Sequence, residues 1–319
     1  MELKYKRFFK PLIARSGPTG VYSDLRFWTE AGDLEGLNLN FSYGFIKDNR
    51  AFHPLDEQKM LVHPYHELLV FVGIDTNDVT RLGAEVSIEL GKEPEEYTFD
   101  RPTVVIIPAG TPHGPAKVRK FDMPVIAHYH VGLGPEWKAD FVLKKPRSSE
   151  QKYAHLVKPL KSTVLPHYKP GLVDEKGVMY ASAFVGPANA DQLIWMYGRD
   201  LEGLDVNISW GFYSKCGAWH KSPETRGGAH VHPVDEALYF VGLDPSNIYY
   251  FGAEIEEVMG ENQEERYIIN RPAVMIFPRG VVHGPITTRF VEKPYAMIIV
   301  CLSSGHETYW LPAPPHIYI

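Results

Sequence analysis

Four residues in the C-terminal half of the chain have the types and the spacing of a metal site. His230 and His232 are separated by one residue, Glu236 follows shortly after them, and His283 comes much later. Side chains two positions apart in a β-strand point to the same face, so both imidazoles of the pair can reach one ion. Three imidazoles and one carboxylate suit a divalent transition metal. We therefore predict a mononuclear metal site at these four residues.

This ligand set is compatible with several ions. Fe(II), Mn(II), Ni, Co, Cu and Zn all fit the same nitrogen and oxygen ligands, and the ligand set alone does not choose among them. A structural zinc site would be closed and usually rich in sulfur, whereas this set leaves positions open for a substrate or O2. The alternative is that these histidines are satisfied polar residues inside a barrel that has lost its metal.

The C-terminal half repeats an earlier part of the chain. The matching pairs are DLEGL at 33–37 and 200–204, LGAEV at 82–86 and FGAEI at 251–255, and PAGTPHGP from 108 and PRGVVHGP from 278. Their order is the same and their separation is almost constant, which makes chance a poor explanation. The sequence therefore predicts two related domains.

Short runs of β-branched and aromatic residues, bounded by Gly or Pro, recur through both copies. Runs of this kind at intervals of roughly ten residues are typical of antiparallel sandwiches and barrels. We expect an all-β protein made of two β-barrels of jelly-roll type. The predicted boundaries are 1–145 for the first domain, 146–172 for a linker rich in Lys, Pro and Ser, and 173–319 for the second domain.

The first copy keeps only part of the metal motif. His63, Glu67 and His113 align with three of the four predicted ligands and form a candidate second site, while Leu61 stands where the second copy has His230. One imidazole is therefore missing from the motif. A vestigial barrel that supports the fold is the alternative to a second metal site.

Two histidines on a later strand could supply the missing imidazole. They are His128 and His130, which we align with Ile298 and Val300 of the second copy. Another histidine, His53, is matched by His220, and this pairing favours a structural role for both.

Several large side chains lie on strands near the predicted metal site and are candidates for a substrate pocket. They are Trp210, Tyr213, His220, Tyr239 and Phe277. An aromatic pocket beside a metal would suit a planar or phenolic substrate. Small barrels also fill their interiors with large side chains, so a packing role is the competing explanation.

The two motif segments carry a family resemblance. H-x-H-x3-E, starting at His230, followed by P-x-G-x2-H, ending at His283, resembles the two cupin motifs. The duplicated chain is similar to a bicupin over most of both copies. It departs from the family at Glu224, where a glycine is usual, and at Thr287, where an asparagine is frequent. Neither position supplies a ligand in the family. The resemblance implies two tandem cupin barrels, that is, double-stranded β-helices of jelly-roll type.

The resemblance also implies three classes of function. Bicupins with similar ligands include dioxygenases that open aromatic or enolic substrates, and this is the chemistry that we favour. In this chemistry the resemblance implies Fe(II) or Mn(II) as the favoured ion and Glu236 as the catalytic residue, with its carboxylate moving from ligand to base. Decarboxylases and isomerases of the same family use the ion as a Lewis acid without O2. Duplicated cupins also include binding and storage proteins of the seed-globulin kind. Cupins commonly pair through sheet edges, which makes a homodimer a reasonable expectation.

Composition limits the other partners. The 319 residues carry a formal net charge of -6, with 44% hydrophobic and 23% charged residues. An acidic chain without a basic run gives no electrostatic reason to expect nucleic acid or an anionic membrane. No stretch approaches the ~20 apolar residues of a membrane span, and two cysteines make no disulfide scaffold. We expect a cytoplasmic protein whose partner is a small molecule.

Overall fold

The computed structural model describes residues 3–163, 173–180, 189–219 and 228–312. These residues form an all-β structure, and the helices within them are three short 3-10 helices at Lys6–Phe8, Ala154–Leu156 and Gly198–Asp200. None of the helices in the described ranges is long and apolar enough to cross a membrane.

The strands fall into two sets that follow the duplication. Those of the first half are β1 (Phe9–Pro11), β2 (Ala14–Arg15), β3 (Arg26–Thr29), β4 (Asn40–Ile46), β5 (Ala51–Phe52), β6 (Lys59–Val62), β7 (Glu67–Val72), β8 (Ala84–Leu90), β9 (Glu95–Phe99), β10 (Thr103–Ile107), β11 (His113–Phe121), β12 (Ile126–Gly132), β13 (Asp140–Leu143) and β14 (Val157–Pro159). Those of the second half are β15 (Gln192–Met196), β16 (Asn207–Tyr213), β17 (Gly217–Ala218), β18 (His230–Val231), β19 (Glu236–Gly242), β20 (Ala253–Met259), β21 (Glu265–Ile269), β22 (Ala273–Phe277), β23 (His283–Val291), β24 (Tyr295–Cys301) and β25 (Tyr309–Trp310).

The chain divides into two compact units. One is Leu12–Leu160, which we call the first barrel, and the other combines Met1–Pro11 with Lys161–Ile319, which we call the second barrel. The division differs from the predicted boundaries at both ends of the first domain. β1 pairs with β22 and so belongs to the second barrel. β14, inside the predicted linker, pairs with β10 and so belongs to the first barrel.

These two strands come from a repeated segment. YKRFFKPL at 5–12 and YAHLVKPL at 153–160 each form a 3-10 turn followed by a three-residue strand. Each strand adds to an edge that would otherwise present unpaired backbone groups. Backbone pairing at a sheet edge therefore decides which barrel each segment joins.

Each barrel is built from two antiparallel sheets. In the first barrel the strand orders are β14-β10-β7-β12-β4-β3-β2 and β13-β6-β11-β8-β9, with β5 also on β11. In the second they are β1-β22-β19-β24-β16-β15 and β21-β20-β23-β18-β25, with β17 also on β23. The central strands β7, β12, β19 and β24 are buried along their whole length. Interior-facing side chains of these sheets can therefore meet away from water.

Candidate metal centres

The first barrel brings four buried donor groups together. His53 directly follows β5, His63 directly follows β6, Glu67 begins β7 and His113 begins β11. One donor atom from each residue lies within 4.8 Å of the others, and all four residues are buried. His53 thus supplies the imidazole that the motif lacks at Leu61. The three residues of the candidate second site are placed together with a fourth that we had expected to be structural.

The donor atoms are separated by the distances that two ligands of one ion require. Oε2 of Glu67 lies 3.2 Å from Nε2 of His53, 3.4 Å from Nε2 of His63 and 3.1 Å from Nε2 of His113. Nε2 of His53 and Nε2 of His113 are 3.2 Å apart. Ligands about 2.1 Å from an ion are about 3.0 Å apart when octahedral neighbours and about 3.4 Å apart when tetrahedral. The arrangement therefore fits a divalent transition metal.

Backbone carbonyls fix the tautomer of two of these imidazoles. Nδ1 of His63 donates to the carbonyl of Lys138 at 2.7 Å, and Nδ1 of His113 donates to the carbonyl of Thr111 at 3.0 Å. A carbonyl oxygen only accepts, so the proton must be on Nδ1. Nε2 of each ring then carries the lone pair that a metal needs. This is the usual outer support of a ligating histidine.

The third imidazole is oriented by a longer chain of hydrogen bonds. Nδ1 of His53 lies 3.0 Å from the hydroxyl of Tyr22, which lies 3.1 Å from Nε2 of His128. Nδ1 of His128 must donate to the carbonyl of Val70, 2.9 Å away, so its Nε2 accepts the hydroxyl proton of Tyr22. The hydroxyl oxygen in turn accepts from Nδ1 of His53. Nε2 of His53 is therefore also left with a lone pair directed at Glu67.

The charges of the first site match a cation. Burial lowers the pKa of His53 and lowers that of His63 to about 4, so both rings are neutral near pH 7. Burial alone would raise the pKa of Glu67, but the imidazoles of His63, His53 and His113 together hold it well below its usual value. One carboxylate thus lies among three imidazoles, of which those of His53 and His63 are neutral.

Two atoms of the first site have no hydrogen-bond partner. They are Nε2 of His63 and Oε1 of Glu67, both buried, and no partner for either is found among the described residues. A buried polar atom without a partner costs about 1–3 kcal/mol, and more where the group is charged. A metal ion would offset this cost at both atoms. These two unsatisfied atoms therefore support a metal at the first site independently of the sequence motif.

The histidines predicted to replace the missing ligand have other roles. His130 lies 2.7 Å from the hydroxyl of Ser42 through Nδ1 and 2.9 Å from Oδ1 of Asn40 through Nε2, so both of its ring nitrogens are occupied. His128 contacts the site only through Tyr22. Neither histidine belongs to the cluster of the first site, whose fourth member is His53.

The predicted alignment of these two histidines was also shifted by one residue. Ala127 pairs with Val72 in the first barrel, and Ala296 pairs with Val241 in the second. Because Val72 and Val241 are equivalent in the two copies, His128 is equivalent to Met297 and His130 is equivalent to Ile299. Ile298 and Val300 are their neighbours, on the other face of the strand.

The second barrel assembles three imidazoles in the same way. His230 begins β18, His232 directly follows it and His283 begins β23, with His230 paired to His283 across the strands. One nitrogen from each ring lies within 4.8 Å of the others. Nδ1 of these rings donates to the carbonyls of Gly228, Glu307 and Val281 at 2.8, 2.7 and 3.0 Å respectively. The lone pair of each ring is again on Nε2.

Glu236 lies slightly farther from these imidazoles than Glu67 lies from those of the first barrel. Its Oε2 is 3.5 Å from Nε2 of His232 and 3.8 Å from Nε2 of His283, and its donor group forms a second cluster with His232 and His306. The thiol of Cys301 donates to Oε1 of Glu236 at 3.3 Å. Burial raises the pKa of Glu236. The four predicted residues therefore occur as two overlapping groups that share His232, rather than as one compact set.

His306 is a site residue that the sequence interpretation missed. Nδ1 of His306 lies 3.1 Å from Sγ of Cys301, and its ring centroid lies 4.5 Å from that of His232. In the first barrel the ring of Trp137 contacts that of His63 edge to face, with centroids 5.4 Å apart. A constant offset of the repeat between Trp137 and His306 was the available signal.

The candidate pocket residues have mixed positions. The ring of Phe277 stacks on that of His283 with centroids 3.9 Å apart. Trp210, Tyr213 and Tyr239 are fully buried, and Tyr213 stacks between Trp219 and Tyr295. His220 lies outside the described residues. A contact with a predicted ligand is thus seen for Phe277, while Tyr213 packs among other aromatic rings.

Comparison with known proteins supports the fold. No protein-family model matches the chain, and no curated protein matches it in sequence. Solved structures of oxalate decarboxylase from Bacillus subtilis are similar in fold. One, determined at pH 4.6, has a TM-score of 0.55 and 10% identity, covering 94% of this chain and 78% of that chain. Two mutants of the same enzyme have TM-scores of 0.55 and 0.56 at 10% and 9% identity, covering 95% and 94% of this chain and 79% and 77% of theirs.

At identities this low, the likeness establishes the fold and not the activity. The predicted fold class is confirmed: the chain forms two tandem cupin barrels, nearly all β in structure. The His and Glu clusters in both barrels are the groups that could hold a divalent metal.

Proposed function

We propose that this chain is a metal-dependent enzyme that acts on a small organic substrate. The observation that carries the proposal is the convergence of imidazole Nε2 atoms in each barrel, with every ligating ring held in the tautomer that a metal requires. In the first barrel, His53, His63, Glu67 and His113 would hold the ion. In the second barrel, His230, His232 and His283 would hold it, with Glu236 beside them.

We assign the reaction to the second barrel. A divalent ion there would polarise a substrate oxygen and, where it is redox-active, would support one-electron chemistry with O2. Glu236 is the residue that would move protons, because burial raises the pKa of its carboxyl and Cys301 holds it beside the three imidazoles. A base works best when its pKa is close to the operating pH. The donor set does not select among divalent metals. Fe(II) or Mn(II) is the ion that we propose.

Two kinds of chemistry fit this site. Our first candidate is O2-dependent oxidation of an aromatic or enolic substrate, with Phe277 stacked on His283 as part of an aromatic wall. The second candidate is a decarboxylation or isomerisation without O2. It is favoured by the raised pKa of Glu236 and by the activity that names the structural neighbours, oxalate decarboxylase. A ligand-binding bicupin without catalysis is the remaining alternative.

Metal content tests the proposal directly. Protein purified anaerobically without a metal-affinity tag is analysed by mass spectrometry as wild type, His63→Ala and His232→Ala. We expect about two equivalents of transition metal in wild type and about one in each variant. Wild type that stays empty after reconstitution with Fe, Mn, Co, Ni, Cu and Zn salts would overturn the metal-dependent function.

Oxygen consumption separates the candidate reactions. The metal-loaded protein is screened with flavonols, catechols and oxalate, with and without O2. Oxygen uptake in step with turnover supports the dioxygenase. Turnover under anaerobic conditions replaces it with the decarboxylase or isomerase, and a ligand retained unchanged for many hours would favour the binding protein.

A further inference from the structure

A buried carboxyl on β20 faces the interior of the second barrel. Met259 pairs with His283 across β20 and β23, and Glu257 pairs with Ile286. Directly opposed residues of an antiparallel pair point to the same face, as do residues two apart on one strand. Glu257 is therefore on the same side of the sheet as Met259 and His283. Its exposure is 0%.

Only one oxygen of this carboxyl is satisfied. Oε1 of Glu257 accepts a hydrogen bond from the backbone N–H of Gly284 at 2.7 Å. Oε2 is buried, and the described residues offer it no hydrogen-bond partner. Leaving a buried polar atom without a partner is costly, so such an atom needs an explanation.

The unpartnered oxygen belongs to the surroundings of the metal site. Gly284 is next to His283, and a Cβ on Gly284 would lie 2.9 Å from Nδ1 of His230. Burial raises the pKa of Glu257 well above its usual value, and the carboxyl of Glu236 raises it further. Full burial favours the protonated form of a carboxyl, and that form has one O–H to donate.

The fold itself does not require a carboxyl at this position. The equivalent residue of the first barrel is Ile88. It lies three residues after the repeated GAE, as Glu257 does, and it is fully buried as well. An apolar side chain fills this position without an unsatisfied atom. Glu257 therefore costs stability that Ile88 does not, and a cost confined to one barrel indicates a role in binding or chemistry.

We propose that Glu257 binds the substrate of the second barrel, by donating a hydrogen bond from its unpartnered Oε2 to an oxyanion of the bound molecule. The substrate class is a small carboxylate or enolate. Its negative oxygen gives Oε2 the partner that the protein does not provide, while Oε1 keeps the N–H of Gly284. This inference rests on the proposed function of the second barrel, and it adds the substrate class to it.

Binding of oxalate to cobalt-loaded protein tests the inference without turnover. All proteins carry His63→Ala, so that only the second barrel is loaded, and the visible spectrum of Co(II) reports the oxalate titration. The variants are Glu257→Ile, which copies the first barrel, Glu257→Gln, which keeps a donor, and Glu254→Gln, a control on the more exposed face of the same strand. Thermal unfolding is measured on the same samples.

We expect Glu257→Ile to weaken oxalate binding about tenfold or more, the effect of losing a hydrogen bond to a charged group. Glu257→Gln should retain most of the affinity, Glu254→Gln should retain all of it, and Glu257→Ile should unfold at the same or a higher temperature than its parent. Equal oxalate affinity in Glu257→Ile would overturn the inference alone. So would a parent that binds cobalt but not oxalate, or a Glu257→Ile variant that is less stable or does not fold. A parent that takes up no cobalt would overturn the proposed function as well.

Discussion

The two barrels share one fold but differ in how they assemble their metal groups. The first barrel lacks the leading histidine of the motif, yet its four donor atoms form a compact group because His53 enters from β5. The second barrel keeps the complete motif, yet Glu236 forms a cluster with His232 and His306 and contacts Cys301. A motif identifies candidate ligands, but the neighbouring side chains decide which of them converge.

The residues around the two sites differ in polarity. Where the first barrel has Trp137, Gly132 and Ile88, the second has His306, Cys301 and Glu257. Burial raises the pKa of Glu236, whereas the imidazoles hold that of Glu67 well below its usual value. The first site is thus a fixed carboxylate and three rings, suited to holding an ion. The second surrounds its rings with groups that can exchange protons, which is why we assign the chemistry to it.

The largest expected effect comes from removing the replacement ligand of the first barrel. His53→Ala should weaken metal binding in that barrel by more than about 100-fold, since even the loss of an outer hydrogen-bond partner costs about 10- to 100-fold. The second barrel should keep its metal. Competition with a chelator, followed by metal analysis, measures both affinities.

A second substitution should restore that site. Leu61 pairs with His113 as His230 pairs with His283, so a histidine at position 61 would point to the same interior. Leu61→His in the His53→Ala background should therefore recover much of the lost affinity. If His53→Ala left the first barrel loaded, the four-ligand description of that site would have to be abandoned.

The sequence predicted the fold and most of the groups that converge, for physical reasons. Repeated strand and turn signals define two barrels, and the alternation of side chains along a strand puts His230 and His232 on one face. His53 could not be recognised, because its position depends on β5 pairing with β11 across many intervening residues. The contact of Glu236 with a thiol from β24 is likewise encoded by no local spacing.

The pH dependence of stability should distinguish the barrels at the Ile88 and Glu257 position. The folded-state pKa of Glu257 is raised above its usual 4.5, so its contribution to stability is fully present below that pH and is lost as pH rises toward the folded-state pKa. The free energy of unfolding of Glu257→Ile should therefore increase relative to that of wild type as the pH rises, by up to about 1.4 kcal/mol per pH unit.

Chemical denaturation of metal-free protein from pH 4 to pH 8, as a difference between the two proteins, measures this gain. Ile88→Glu in the first barrel should produce the opposite trend. A difference between wild type and Glu257→Ile that is constant across this range would show that Glu257 ionises normally.

Tyr22→Phe should have a moderate effect that is confined to the first barrel. The substitution removes the hydroxyl that accepts from Nδ1 of His53 and donates to His128, so the ring of His53 loses its fixed tautomer. We expect metal affinity in the first barrel to fall about 10- to 100-fold. Tyr213→Phe is a matched control in the second barrel, where the buried hydroxyl has no hydrogen-bond partner within the described residues. Equal losses in both variants would mean that Tyr22 acts only through packing.

The smallest expected effect concerns the contact that separates Glu236 from Glu67. Cys301 donates its thiol proton to Oε1 of Glu236, while Oε2 of Glu236 lies 3.5 Å from Nε2 of His232 and 3.8 Å from Nε2 of His283. Cys301→Ala removes the donor, so Glu236 becomes free to turn toward His232 and His283 as Glu67 does in the first barrel. Because a hydrogen bond contributes about 0.5–1.5 kcal/mol, metal affinity in the second barrel should rise about two- to tenfold. Cys301→Ser keeps a donor and should bind metal as wild type does. Chelator competition compares the metal affinities of Cys301→Ala and Cys301→Ser. If Cys301→Ala bound metal no more tightly than Cys301→Ser, the position of Glu236 would have to be attributed to the backbone of β19. The two barrels would then differ in strand geometry rather than in one side-chain contact.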